Sequence, residues 1–369
     1  MRIAFRVDAS IIIGTGHVMR CLTLATALAN RGADCLFICR KHSGNLIEFI
    51  RSQGLVVHAI EFQKQDDYLI ASSTCDSKLA HGQWLGSTQK QDARICERVL
   101  VDFQPDWLIV DHYALDSCWE LALKPHYRRL MVIDDLADRS HACDLLLDQT
   151  FGRNPADYKS RVPSKCHLLC GSQYALLRPE FAALRPYSLQ RRIRPVMREL
   201  LISMGGVDKD NLTCQVLQMI RDSCLPNDCR ITVVMGMTAP WLKEVKTQAN
   251  KMPWPTRVLA GTSVLEKLMA DSDLAIGAAG ATSWERCCMG LPAIVFLQAE
   301  NQYELANALQ RAGAAALVTS ASNLQNQFAA LLDAFLSAPQ KLNEMSKASA
   351  AIVDGMGTRS VIAHLELQK

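Results

Sequence analysis

At 369 residues, with 49% hydrophobic and 21% charged residues, the chain has the length and composition of two globular domains, each with its own core. Its 40 Lys+Arg against 37 Asp+Glu leave a net charge of +3, far below the basic excess that neutralising a phosphate backbone needs, so nucleic acid is not an expected partner. No run reaches the roughly 18 apolar residues of a membrane span, and Met1 leads directly into the strand-like Ile3-Ala4-Phe5, so the cytoplasm is the expected compartment.

In chain order, an apolar run from Ile3 to Val7 precedes a glycine loop. Helical periodicity then runs from Val18 to Asn30, Gly32 stops it, and a second apolar run follows from Cys35 to Arg40, a βαβ opening. A helical stretch near Leu46 to Ser52 and a strand at Leu55 to Ile60 come next; residues 63–91 are polar and show no assignable period. Trp107 to Asp111, Met131 to Asp135 and Leu145 to Asp148 are three more apolar runs, each meeting an aspartate at or near its C-terminal end. Ligands of parallel sheets collect at that edge.

Between Pro186 and Pro195 the composition turns polar, and the basic run Arg191-Arg192-Ile193-Arg194, flanked by Arg185 and Arg198, reads as a solvated linker. Alternation then restarts at Leu200 to Met204 and continues through strands near Ile231, Val258, Leu274 and Ala293 with helices between them. The expected architecture is α/β: two Rossmann-like domains, 1–188 and 196–369, facing each other across a cleft, with the last helix packing back on the first domain. The sequence leaves the oligomeric state open and is compatible with a monomer.

The first chemistry-bearing segment is Arg6-Val7-Asp8-Ala9-Ser10 followed by Gly14-Thr15-Gly16-His17-Val18-Met19-Arg20-Cys21. A strand ends, glycines let the backbone approach a ligand, and a helix begins near His17. A dinucleotide fingerprint fails, because Met19 holds the third glycine position and Cys39-Arg40-Lys41 stands where an acidic residue belongs. The positive end of the helix favours a neutral His17 imidazole that can take a proton from water. Arg20 on the same helical face and Asp8 at the strand end can converge with it.

Asp111-His112-Tyr113 is a second polar cluster at a strand end; Tyr113 can bond a sugar hydroxyl, or the pair His112 and Tyr113 can satisfy local backbone. In Asp134-Asp135-Leu136-Ala137-Asp138-Arg139 a capping or solvated role is expected for Asp138.

In the second half, Ser203-Met204-Gly205-Gly206 ends a strand before a helix, an arrangement that holds phosphate with backbone amides. Asp208 and Asp210 read as helix caps, so no divalent metal is expected. The turn Gly280-Ala281-Thr282 feeding a helix suits a pyrophosphate, with Asn301 and Gln302 beyond it. Thr282-x-x-Glu285 fits both a capping box and a glutamate that accepts from ribose hydroxyls. The 14 cysteines are scattered and read as buried thiols; Cys166-x3-Cys170 around His167 and the pair Cys287-Cys288 lack the second ligand pair of a zinc site.

These segments resemble the family of UDP-sugar hydrolases that act on a 2,4-diacetamido-2,4,6-trideoxy sugar in pseudaminic acid biosynthesis, and the His17 segment is the most specific part of the likeness. The second half is similar to the donor-binding half of GT-B glycosyltransferases such as the peptidoglycan N-acetylglucosaminyltransferase. The resemblance implies a UDP-sugar substrate, and no cofactor is expected. It implies His17 as the base that directs water onto the anomeric carbon with inversion, Tyr113 beside it, and a sugar site among Arg6, Asp8, Gly14, Gly16, Arg20 and Asp111. UDP would lie on Gly205, Gly206, Gly280, Ala281, Thr282, Glu285, Asn301 and Gln302, with Glu285 on the ribose.

Overall fold

The computed structural model describes residues 1–61, 79–237, 239–297, 302–319 and 323–367. They form two compact units, one of Met1–Leu176 with Thr358–Lys369 and one of Leu177–Gly357.

The first unit is built on β1 (Arg2–Val7), α1 (Gly16–Ala29), β2 (Asp34–Arg40), α2 (Ile47–Ser52), β3 (Val56–Ile60), α3 (Gln89–Phe103), β4 (Trp107–Asp111), α4 (Ser117–Ala122), β5 (Arg129–Ile133), β6 (Leu145–Asp148) and β7 (His167–Cys170). Its strands form one parallel sheet in the order β3-β2-β1-β4-β5-β6-β7. Strands covered on both faces read as continuous apolar runs, and β1, β4 and β6 are buried throughout or nearly so. One face packs Phe5 on Phe37, with ring centroids 4.8 Å apart. The other gathers Leu108, Val110, Trp119 and Leu130 under α3 and α4. In the stretch without a readable period, α3 starts at a reciprocal capping box between Thr88 and Gln91. Residues 63–78 of that stretch lie outside the described residues.

The second unit opens with α5 (Pro179–Arg191) and continues through β8 (Glu199–Ser203), α6 (Leu212–Arg221), β9 (Arg230–Met235), α7 (Leu242–Ala249), β10 (Thr256–Ala260), α8 (Leu265–Asp271), β11 (Leu274–Ala278), α9 (Thr282–Cys288), β12 (Ala293–Phe296), α10 (Tyr303–Arg311), β13 (Ala316–Val318), α11 (Leu324–Ser337) and α12 (Gln340–Ala350). Its parallel sheet has the order β10-β9-β8-β11-β12-β13. The closing helix α13 (Gly357–Leu367) sends Val361, Ile362 and Leu365 into the core of the first unit.

The segment read as a solvated linker is packed at some of its residues, while Ile193, Arg194 and Arg198 are exposed as a solvated run would be. Helix α5 carries Pro186 inside it, and Ser188 is fully buried with its hydroxyl donating to Met289 O at 2.7 Å. Arg192 is buried too, and its guanidinium donates to the carbonyls of Met269, Ala270 and Ser272 at the C-terminus of α8. Arg185 does the same for Cys288, Ala350 and Val353. Carbonyls left over at helix ends need such donors, and here Arg185 and Arg192 supply them. The units accordingly divide at Leu176/Leu177, ahead of the 188–196 boundary expected from composition. No helix of the described residues is long and apolar enough to cross a membrane.

Candidate active site

In a doubly wound sheet the ligand crevice opens where the strand order reverses. In the first unit that point lies between β1 and β4, which pair from Ile3↔Trp107 to Val7↔Asp111. The loop after β1 leads to His17 in the first turn of α1, and Asp111 ends β4. The loop holds its own shape: Ser10 Oγ accepts the amides of Ile12 and Ile13, and Gly14, at φ +82°, returns its amide to Ser10 O at 2.8 Å.

His17 Nδ1 stands 2.6 Å from Asp111 Oδ1. Arg20, one helical turn on, holds the same carboxylate in a fork, Nε to Oδ2 and Nη2 to Oδ1, both at 2.7 Å. Its Nη1 reaches Asp135 Oδ2 at 2.5 Å, and Tyr113 donates its hydroxyl to that same oxygen at 2.8 Å. The Tyr113 ring returns to His17 edge-on, 4.6 Å between centroids, which closes a circuit of five residues. Burial acts to raise the Asp111 carboxyl, but Arg20 and then His17 outweigh it and hold the group well below the usual carboxylate range. Burial, then Asp135, keeps the Tyr113 hydroxyl protonated. An imidazole whose Nδ1–H is taken by a carboxylate presents Nε2 with a free lone pair. Trp84 and His81 line the same place: Trp84 stacks on Tyr113 at 5.7 Å and meets His17 edge-on at 6.4 Å, while His81 lies 4.3 Å from Trp84.

Arg6 and Asp8, expected at the sugar, lie inside the protein instead. Arg6 is fully buried and spends its nitrogens on Asp8 Oδ1 (2.7 Å) and on both oxygens of Asp92 (3.1 and 2.8 Å). Arg40 joins Asp92 at 2.7 Å and gives its amide to Asp8 Oδ1 at 2.7 Å. His112 Nε2 stands 3.2 Å from Asp8 Oδ2. Two arginines against two carboxylates make a charge-balanced cluster that ties β1, β2 and α3 together. Arg20 and Asp111 also turn to one another, while Gly14 and Gly16 stay in the loop and the first residue of α1. Asp138 caps no helix; it is exposed and paired with Arg139 at 2.8 Å.

The second reversal point lies between β8 and β11, where Gly277 pairs with Ser203. A Cβ on Gly277 would lie 2.6 Å from Ser203 O and 2.7 Å from Arg286 Nη1, so no side chain fits there. Gly205 (φ +90°) and Gly206 follow β8, and Gly280, Ala281 and Thr282 follow β11, so all five reach one sheet edge. The two carboxylate oxygens of Asp208 accept from the amides of Leu212 and Thr213, 2.9 and 3.0 Å away, and so cap α6.

Glu285 forms no capping box: α9 has Ala281 at its N-cap with no side-chain bond there, and Thr282 Oγ1 accepts from Arg286 at 3.2 Å. Instead Glu285 Oε2 is buried without a hydrogen-bond partner. Burial pushes this carboxyl up to about 7, with Arg178 and Arg286 partly offsetting it. Gln302 stands at the N-cap of α10, whereas Asn301 lies outside the described residues. Among the described residues no group of three or more His, Cys, Asp and Glu side chains is placed to hold a metal ion.

Residues 200–360 match the model of the glycosyltransferase family 28 C-terminal domain. The chain is 27% identical over 273 residues to the UDP-2,4-diacetamido-2,4,6-trideoxy-beta-L-altropyranose hydrolase of Campylobacter jejuni, a match covering 74% of this chain and 83% of that protein. An uncharacterized protein of Methanocaldococcus jannaschii is 24% identical over 82% of this chain, which spans 57% of that protein's length. The crystal structure of Acinetobacter baumannii MurG superposes with a TM-score of 0.66 at 15% identity, covering 99% of both chains. The chain thus has the GT-B fold, matches the glycosyltransferase family 28 C-terminal domain over residues 200–360, and is similar over about three quarters of its length to a diacetamido-sugar nucleotide hydrolase.

Proposed function

We propose that the chain hydrolyses UDP-2,4-diacetamido-2,4,6-trideoxy-β-L-altropyranose to UDP and the free sugar. Water attacks the anomeric carbon with inversion, His17 Nε2 takes its proton, and the bond from that carbon to the β-phosphate oxygen breaks with its electron pair leaving on UDP. The observation that carries this reading is the 2.6 Å contact of His17 Nδ1 with Asp111, which orients the ring and stabilises the imidazolium formed as the proton arrives. Arg20 fixes the carboxylate so that it aims at His17. Support for the nucleotide comes from Glu285, whose shielded and unpartnered oxygen suits ribose hydroxyls, and from the glycine turns after β8 and β11, which suit a pyrophosphate. The sugar identity rests on the similarity to the Campylobacter jejuni hydrolase.

The family 28 match favours one other reading, transfer of the sugar from UDP to an acceptor. Incubation with the UDP-sugar and no acceptor separates the two. Stoichiometric UDP and free sugar of inverted configuration support hydrolysis; turnover that starts only when an acceptor is added overturns it.

A further inference from the structure

Away from the site, the sulfurs of Cys143 and Cys166 stand 3.6 Å apart, in van der Waals contact. The two residues lead into neighbouring parallel strands, β6 and β7, whose pairing opens at Leu145↔His167. The bond from His167 N to Asp144 O, 2.9 Å, fixes the approach of the two lead-in segments. Carried back one residue, that register sets Cys166 opposite Asp144, next to Cys143, so the two sulfurs meet across adjacent segments. One thiol is reachable and the other is not: Cys166 is partly exposed and Cys143 is buried.

We propose that Cys143 and Cys166 form a peroxide-responsive dithiol that closes to a disulfide. The Cys166 thiolate attacks a hydroperoxide oxygen; the O–O bond breaks, water or an alcohol leaves, and Cys166 becomes a sulfenic acid. The Cys143 sulfur then displaces that hydroxyl as water and gives up its proton. Two thiols lose two electrons and two protons, and the O–O bond takes them up. The contact with Cys166, together with burial, holds the Cys143 thiol protonated until that second step, so the accessible sulfur acts first.

The link would close a loop over residues 144–165. That loop braces the aspartate pair after β5: the Tyr158 hydroxyl lies 2.8 Å from Asp134 Oδ2 and 2.7 Å from Asp148 Oδ2, and Arg153 donates to Asp135 O at 2.6 Å. Asp135 in turn holds Arg20 and Tyr113. The oxidised form therefore ties down, from the opposite end of the sheet, the segment that buttresses the His17 circuit. This inference does not depend on which reaction the site performs.

The test treats the reduced full-length chain with hydrogen peroxide, quenches with a thiol-alkylating reagent, and maps peptides without reductant. The expected product joins the Cys143 and Cys166 peptides with the loss of two hydrogens, and dithiothreitol reverses it. The oxidised chain melts at a higher temperature than the reduced one, a rise absent from Cys166→Ser. Full alkylation of both residues under peroxide that already oxidises the exposed Cys118 and Cys224 would overturn the proposal, as would conversion of Cys166 to a sulfinic acid with Cys143 still free. Peptide mapping of the unaltered chain decides the matter even if a variant folds poorly.

Discussion

Asp111 receives His17 and Arg20 on one carboxylate: the Oδ1 that faces His17 Nδ1 at 2.6 Å also accepts Arg20 Nη2 at 2.7 Å. A charged acceptor fixed from two sides cannot rotate away from the imidazole, so the ring is oriented before any substrate arrives.

His17→Leu is expected to lower turnover at least ~10²-fold while leaving UDP affinity unchanged. Asp111→Asn should lower turnover by at least a similar factor, because an amide no longer selects the tautomer with Nε2 free, and should cost about 1.5–3 kcal/mol of stability through the weakened Arg20 bonds. UDP release in a coupled assay, with calorimetric UDP titration, checks both. Unchanged turnover in His17→Leu would remove it as the base.

Tyr113→Phe keeps the ring against His17 and deletes only the bond to Asp135. About 1 kcal/mol of lost orientation corresponds to a roughly fivefold lower kcat with KM unchanged. A raised KM with intact kcat would mean that the hydroxyl serves the sugar directly.

Glu285 gives UDP binding a pH dependence of defined sign. Its carboxyl is pushed up to about 7, and only the ionised form accepts from two ribose hydroxyls. Affinity should therefore rise as pH rises through that value. UDP also ionises, so the measure is the difference from Glu285→Gln in parallel titrations. The unfolded chain releases this proton near 4.3 and the folded one near 7, so stability falls between those values. Glu285→Gln should consequently melt higher than the parent above pH 7, where loss of a helix cap would melt lower.

The buried cluster makes the first unit sensitive to acid. Burial acts to raise Asp8 and Asp92, but Arg6 outweighs it and holds both carboxyls below their ordinary value. Their contribution is present above the unfolded value of about 3.9 and is lost as pH falls through the lower folded values. Asp92→Ala, which strands Arg6, Arg40 and the indole of Trp119, should cost about 3–5 kcal/mol in urea unfolding.

Removal of divalent ions by a chelator should leave turnover unchanged. Asp208 of the D-x-D pair is occupied by two helix amides. Loss of activity, restored by Mg²⁺ or Mn²⁺, would contradict this.

Strands buried on both faces are visible in sequence as apolar runs, and β1, β2, β4 and β6 lie where those runs do. The loop before His17 is legible for a similar reason, since glycines, a helix start and a strand end fall within a dozen residues. Long-range pairing is not legible. Arg6 looks like a site residue because its neighbours do, yet its partner Asp92 lies 86 positions away, on a helix that begins in a stretch with no readable period. Trp84 and His81 were missed because they come from that same stretch. Arg192 misled for the opposite reason: a run of arginines resembles solvent-facing chain, and only the tertiary fold reveals the helix carbonyls that consume it.

The last helix has a consequence for biosynthesis. Val361, Ile362 and Leu365 complete the core around β1 and α1, yet they follow the whole second unit in the chain. Domains emerging from the ribosome generally fold in order of synthesis, but here the unit begun first is completed only after the second has been made. A nascent chain holds the His17 loop on an incomplete core until α13 has emerged behind the second unit.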